Sequence, residues 1–453
     1  MYDFDVIVIG AGPAGYEVAS HLGKGGKSVC IIEKSESTVG GTCLNEGCVP
    51  AKNFLETSSY IKKEAYFKTC GVNHTSSTLD MMTLKASTHC LIEDLKVGIF
   101  GKLKKAKVSL EYDIASFVDN HTINLEKQNR QITAQDIVIA SGSSHRDHPL
   151  MNLQDETIIS SREVFKLTDI PKNILIIGGG AIGCEFASFF NALGSEVEIS
   201  EFASKLVPLE DDDISRTLKR EFEKKGITVG LNANVTDYNV SDKGVELTID
   251  MGKKVETKSF EKVLISIGRI PNTASLQLVN ANIEEDRGFI EVNENLQTTS
   301  HDNIYAIGDV LKTPALAHVA YYEAKRVAQH ILDKELYVAD YIFPSVTFCT
   351  PQIASIGKSE KVLKEHGIKF KNKKLFFKTN AKAKIKGDDS GFVKVLYDEE
   401  TSLILGASII GNDATELIHQ FLIAINAKLG LNDLEKMIFA HPTLSESTLD
   451  LIG

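Results

Sequence analysis

Two stretches of this chain carry nearly the same pattern of apolar and polar positions. Residues 6–9 form an unbroken apolar run, followed by Gly10-Ala11-Gly12-Pro13-Ala14-Gly15, and a second predicted strand over 28–32 ends at Glu33. A short apolar run that stops at glycine predicts a strand covered on both faces, with a helix opening behind the glycines. Residues 174–177, then Gly178, Gly180 and Gly183, then 196–200 and Glu201 repeat the plan. Gly178, Gly183 and Glu201 each lie 168 positions beyond Gly10, Gly15 and Glu33. Such a repeat predicts two copies of one strand–helix–strand unit, hence an α/β architecture with parallel sheets.

A glycine triplet alone predicts no more than a helix entry. Here each triplet follows an apolar strand, opens a helix and is followed, eighteen positions after its last glycine, by an acid. That is the context of a dinucleotide site: glycines admit the backbone to a pyrophosphate, and the helix N-terminus supplies N–H groups and a positive dipole. Gly10, Gly12 and Gly15 with Glu33 make one candidate site, and Gly178, Gly180 and Gly183 with Glu201 the other. A carboxylate at the ribose repels the 2′-phosphate of NADP, so Glu201 favours NAD. The alternative is that Glu201 faces solvent at its strand end and selectivity is set elsewhere.

Composition narrows the class. At 453 residues the chain is long enough for about three domains. Hydrophobic content of 43% and charged content of 25% predict an ordinary globular protein, neither disordered nor membrane-spanning. A net charge of −11 argues against nucleic acid as a partner. The apolar start over 4–19 lacks a basic leader and is broken by Gly10, Gly12 and Gly15, which disfavours export. Seven cysteines, an odd number, fit a reducing compartment, and the expectation is a cytoplasmic protein.

Between the repeats stands Gly40-Gly41-Thr42-Cys43-Leu44-Asn45-Glu46-Gly47-Cys48-Val49-Pro50-Ala51-Lys52. Phe54, Leu55, Tyr60 and Ile61 then recur at helical spacing, so Cys48 falls near a helix N-terminus, with Pro50 in the first turn. Four residues separate the cysteines, a gap that a turn can close to disulfide distance. Two inert structural thiols would be the plain reading. A metal site is disfavoured because Cys30, Cys70, Cys90, Cys184 and Cys349 are scattered. Placement favours reactivity: the helix dipole stabilises a thiolate at Cys48, and Lys52 shares its helix face four residues on.

The run G-G-T-C-L-N-E-G-C-V-P-A-K closely resembles that of the flavoprotein disulfide reductases, and within them the dihydrolipoamide dehydrogenases. Further segments resemble the family in order: Ala140-Ser141-Gly142-Ser143, Ser266-Ile267-Gly268-Arg269-Ile270-Pro271-Asn272, Tyr305-Ala306-Ile307-Gly308-Asp309, Leu316-Ala317-His318, and His441-Pro442-Thr443-Leu444-Ser445-Glu446. The fold this implies is α/β: two doubly wound Rossmann-like dinucleotide-binding domains plus an α+β C-terminal dimerisation domain. FAD binding and the redox disulfide fall in 1–145 and NAD binding in 146–268. A central domain completing the FAD site spans 269–340, and the dimer interface with the catalytic histidine spans 341–453.

The resemblance also implies roles. Cys48 lies against the flavin and Cys43 exchanges with substrate. Lys52 approaches the flavin and pairs with Glu185, which could otherwise be a surface carboxylate. Gly142, Gly308, Asp309 and Ala317 join the FAD site, with Asp309 on the ribityl chain, and Gly268 joins the NAD site. His441 is the base that a dithiol needs to attack a disulfide, oriented by Glu446. In the family each active site joins the cysteines of one subunit to the histidine of its twofold partner, so a homodimer is expected. The implied partner is a separate lipoyl-bearing carrier protein of a 2-oxo acid dehydrogenase or glycine cleavage system.

Some positions depart from the family. Phe439 stands where another histidine is common, Glu46 where a small or apolar residue is, and Thr350 where a histidine is. A NAD(P)H-dependent reductase of a low-molecular-weight disulfide is the nearest rival, although NADPH-using glutathione reductases carry arginines around the position of Glu201. Mercuric reductase fits less well, because residues 448–453 lack its vicinal cysteines. A non-catalytic flavin-bearing subunit is the rival from another class, and it would need neither Cys43 nor His441.

Overall fold

The computed structural model describes residues 1–73, 77–151, 153, 156–252, 254–333 and 341–452. Residue 340, the expected end of the central domain, and Gly453 lie outside the described residues. The chain forms two compact units, Met1–Ala51 with Thr83–Arg146 and Arg269–Asp340, and Lys52–Met82 with Asp147–Gly268 and Tyr341–Gly453.

In the first unit, strands Ser109–Tyr112, Val29–Glu33, Phe4–Ile9, Arg130–Ile139 and Ile304–Ala306 lie side by side and parallel. Val6, Ile7 and Val8 are fully buried, which is why this strand reads as a continuous apolar run rather than an alternating one. Strand Arg130–Ile139 serves two purposes. Its first residues pair antiparallel with Thr122–Leu125, which in turn pairs with Ala115–Phe117, and its remainder joins the parallel layer. Helix Pro13–Lys24 packs on this sheet through Ala14, Val18, Ala19 and Leu22.

The second unit contains the other copy. Strands Thr228–Leu231, Glu196–Glu201, Asn173–Ile177, Lys262–Ile265 and Ile158–Ser160 form a parallel sheet in that order. The register repeats as well: Val6 pairs with Val29, and Ile174 pairs with Val197. A three-stranded antiparallel sheet, Asn234–Ser241, Gly244–Asp250 and Val255–Phe260, follows. The C-terminal part is α+β. Its five antiparallel strands run in the order Pro344–Thr347, Gln352–Gly357, Ile404–Gly411, Phe392–Asp398 and Phe370–Phe376, with helix Ala414–Asn426 burying Leu417, Ile418 and Phe421 against them. This is the expected class: two doubly wound dinucleotide-binding folds and an α+β C-terminal domain.

The glycines explain why the two loops are alike. Gly10 has φ +103° and Gly178 φ +106°, and a Cβ on either would stand 2.5 Å from the carbonyl oxygen of Ala140 or Ser266. A Cβ on Gly15 or Gly183 would meet the Gly10 or Gly178 oxygen at 1.9 or 2.0 Å. Each helix therefore starts almost in contact with the end of its own strand, a geometry that excludes any side chain.

Candidate functional site

In the first unit, helix Pro13–Lys24 opens behind Gly12 with neither a side-chain cap nor an acid in its first turn, so its N–H groups and dipole remain available to an anion. Glu33 ends the neighbouring strand beside this loop. Its Oε2 accepts the Ala11 N–H at 2.6 Å, and its Oε1 accepts the Lys34 N–H at 2.9 Å and the Thr38 hydroxyl at 2.8 Å. These bonds hold the carboxylate at the mouth of the glycine loop. Helix Ala181–Ala192 in the second unit repeats the uncapped start behind Gly180. Glu201 is 9% exposed; one of its oxygens accepts the Gly179 N–H, and the other accepts the Ala203 N–H at 2.6 Å. It does not face open solvent. Ser266 donates to the Ile177 and Gly178 carbonyls at 3.0 and 3.1 Å, which brings the stretch leading to Gly268 (φ +111°) to the same loop.

Both loops are suited to a dinucleotide. The donor set of uncapped helix N–H groups and a clash-limited glycine cradle fits a pyrophosphate, and each strand-end carboxylate fits ribose hydroxyls. In the first unit Asp309 follows Gly308 (φ +73°) and accepts the Ser143 hydroxyl. Ser143 in turn accepts from Arg269 Nε at 2.7 Å, and that nitrogen lies 3.6 Å from the Asp309 carboxylate. Gly142 (φ +70°) accepts the Asn272 N–H at 2.8 Å, and Ala317 opens helix Ala317–Asp333.

Cys43 lies in the short helix Gly41–Glu46, and Cys48 is the first residue of helix Cys48–Thr69, the position where a helix dipole favours a thiolate. Gly47 separates the two helices, and no side chain fits there because a Cβ would stand 2.8 Å from the Thr42 carbonyl oxygen. The Asn45 amide fixes the first helix by donating to the Val39 and Gly41 carbonyls at 3.0 and 2.9 Å. Gly41 packs on Gly12, where a Cβ would meet the Gly12 Cα at 2.7 Å, so the cysteine helix abuts the glycine loop directly. Tyr16, one turn into the first helix, shares a hydrogen bond of 2.6 Å with Tyr321. Burial pushes both phenols up, and the charge of Cys43 adds to this, so both hydroxyls stay neutral near that sulfur. Of the apolar positions that mark the longer helix, Phe54 and Leu55 are buried but Tyr60 is 64% exposed.

In the second unit the Lys52 ammonium donates to both oxygens of Glu185, at 3.0 and 2.9 Å. Glu185 is buried in helix Ala181–Ala192, so it is not a surface carboxylate. Near the C-terminus, His441 Nδ1 lies 2.7 Å from Glu446 Oε1, and Glu446 Oε2 accepts the Thr443 N–H at 2.7 Å. That N–H first, and then the imidazole, hold the Glu446 carboxyl below the usual glutamate range. With Nδ1 occupied by the carboxylate, Nε2 is the nitrogen that can move a proton.

Two positioning residues escaped the sequence analysis. Glu323 is fully buried and accepts the Gly308 N–H at 2.7 Å, which fixes the turn before Asp309. Its signal was a lone carboxylate inside the apolar helical stripe of Val319, Ala320, Ala324 and Val327. Arg269 belongs to the family-like segment 266–272, but only the structure brings it to Ser143 and Asp309.

Comparison with known proteins agrees with this geometry. Residues 4–324 match the pyridine nucleotide-disulphide oxidoreductase family, and residues 343–452 match that family's dimerisation domain. Dihydrolipoyl dehydrogenase of Haemophilus influenzae is 32% identical over 98% of this chain and 93% of its own length. The mitochondrial dihydrolipoyl dehydrogenase of Pisum sativum is 35% identical over 98% of this chain and 89% of its own. Among solved structures, the HOCl-induced flavoprotein disulfide reductase RclA of Escherichia coli superposes with a TM-score of 0.89 at 29% identity, covering 99% of both chains. Among the described residues no helix is long and apolar enough to cross a membrane. The chain belongs to the pyridine nucleotide-disulphide oxidoreductases, and it is a flavoprotein oxidoreductase with FAD and NAD as its cofactors.

Proposed function

We propose that this oxidoreductase is a dihydrolipoyl dehydrogenase: a dihydrolipoyl group and NAD⁺ give a lipoyl group, NADH and a proton. The observation that carries the reading is the His441–Glu446 pair, a proton acceptor oriented by a carboxylate, which dithiol oxidation requires. His441 takes a thiol proton at Nε2 and the resulting thiolate attacks Cys43, breaking its bond to Cys48 and forming a mixed disulfide. The second substrate thiol then displaces Cys43, so the substrate leaves as a disulfide and the cysteines remain as a dithiol. FAD, when bound, supplies the two-electron acceptor between that dithiol and NAD. Gly10, Gly12, Gly15, Glu33, Gly142, Gly308, Asp309 and Ala317 would hold it, with Lys52 and Glu185 serving the flavin. Gly178, Gly180, Gly183, Glu201 and Gly268 would hold NAD.

The reading extends to organisation. The division into 1–145, 146–268, 269–340 and 341–453 is part of it, as is a homodimer in which His441 serves the cysteines of the partner. A lipoyl-bearing carrier of a 2-oxo acid dehydrogenase or glycine cleavage system would be the substrate protein, and the cytoplasm the compartment. A second reading, reduction of another disulfide, is favoured by the likeness to RclA, and Phe439, Glu46 and Thr350 leave the chemistry intact but blur the substrate. One comparison separates them: turnover of dihydrolipoamide with NAD⁺ against turnover of glutathione disulfide with NADPH. The first should be faster by orders of magnitude, and the reverse order would overturn the proposal.

A further inference from the structure

The Lys52–Glu185 pair has a third member. The backbone N–H of Phe348 donates to Glu185 Oε1 at 2.9 Å, and the Phe348 ring lies 4.7 Å from the Lys52 ammonium, measured to the ring centroid. One residue therefore touches both ions, the anion through its backbone and the cation through its ring. Two residues on, the Thr350 N–H donates to the Ser188 hydroxyl at 2.9 Å. Glu185 and Ser188 are three residues apart on helix Ala181–Ala192 and so share a face, and the segment 348–350 is laid along that face by two hydrogen bonds. Cys349 between them is fully buried. The ring is thus fixed from its own backbone.

The cation needs such a fixed wall. Lysine carries a compact charge on a flexible four-carbon stem, and the Lys52 side chain is 33% exposed, so the carboxylate alone leaves it other orientations. An aromatic face attracts an ammonium through its quadrupole and favours one of them. We propose that Phe348 is the positioning residue that holds the Lys52 ammonium at a single point on the Glu185 carboxylate. It acts through Lys52 and touches no reacting atom. This inference rests on the reading that Lys52 serves the flavin.

The test uses the holoenzyme with Phe348→Leu, which keeps apolar bulk without a ring, and Phe348→Tyr, which keeps the ring. Phe348→Met is a second ringless variant should the leucine variant not fold. Two readouts are taken: the rate of Lys52 acetylation by acetic anhydride, followed by mass spectrometry, and the long-wavelength flavin–thiolate band of the two-electron-reduced protein. Lys52 should react about threefold faster or more in the ringless variants, with a weakened band, and Tyr should restore both. Unchanged Lys52 reactivity in the ringless variants, or an equal effect in Leu and Tyr, overturns the proposal. Faster reaction with an unchanged band supports the hold of Phe348 on Lys52 and overturns instead the assignment of Lys52 to the flavin.

Discussion

Glu446 divides its two oxygens between His441 Nδ1 and the Thr443 N–H, both at 2.7 Å. The backbone bond fixes the carboxylate, and the carboxylate fixes the ring. Because the carboxyl is held below its ordinary range, the arrangement persists above that range and is lost only as pH falls through the lowered value. Replacing Glu446 by Gln keeps the acceptor for Thr443 but removes the charge that stabilises an imidazolium. Turnover of dihydrolipoamide should fall about tenfold or more in this variant, and by about 10²–10⁴-fold in His441→Gln. Initial rates at saturating NAD⁺ measure both, and full activity in His441→Gln would remove the histidine from the mechanism.

The second prediction concerns cofactor choice. Glu201 is anchored at the glycine loop by the Gly179 and Ala203 N–H groups. Glu201→Gln keeps an acceptor oxygen for one of these two N–H groups, replaces the other acceptor by an NH2 donor, and removes the charge that repels a 2′-phosphate. The ratio of kcat/KM for NAD⁺ to that for NADP⁺ should drop about tenfold, the equivalent of roughly 1.4 kcal/mol of repulsion. A ratio equal to that of the wild type would place selectivity elsewhere.

The third prediction separates the cysteines. Cys48 begins helix Cys48–Thr69, whereas Cys43 sits inside Gly41–Glu46. Cys48 opens a helix of 22 residues, whereas the helix around Cys43 has 6, so the stronger dipole stands behind the Cys48 thiolate. Cys43→Ser should therefore retain a long-wavelength flavin–thiolate band, and Cys48→Ser should lack it. The opposite pattern of absorbance would exchange the two roles.

Which features could be read from the chain follows from the range of the contacts involved. The paired strand–loop–helix units were legible because close backbone approach at Gly10, Gly15, Gly178 and Gly183 dictates the residue type locally. The helix start at Cys48 was legible from Pro50 and the apolar spacing after it. Glu323 and Gly308 are 15 positions apart, Phe348 and Glu185 are 163 apart, and Lys52 and Glu185 are 133 apart. No local pattern marks such meetings, and the last was expected only from the family resemblance. The two pairings of strand Arg130–Ile139 are likewise a property of the assembled sheet.

The final prediction uses a carboxyl that the proposed reaction does not need. Glu210 is 8% exposed, and its Oε1 accepts the Ser355 hydroxyl at 3.1 Å. Burial, aided by the charge of Asp211, pushes its carboxyl up from 4.5 to about 7, against the opposing pull of Ser355, Lys205 and Lys394. The folded protein therefore keeps a proton that the unfolded chain releases. Between pH 4.5 and about 7 the native state binds more protons, so stability falls as pH rises through this window and levels off above it. The whole effect is bounded on the order of 3 kcal/mol. Glutamine has nearly the same shape, still accepts from Ser355 and never ionises. Glu210→Gln should come closest to the wild type in thermal midpoint near pH 4.5, exceed it increasingly up to about pH 7, and keep a constant margin from there to pH 8. A difference between the two that stays constant from pH 5 to 8 would mean that Glu210 does not titrate in this range.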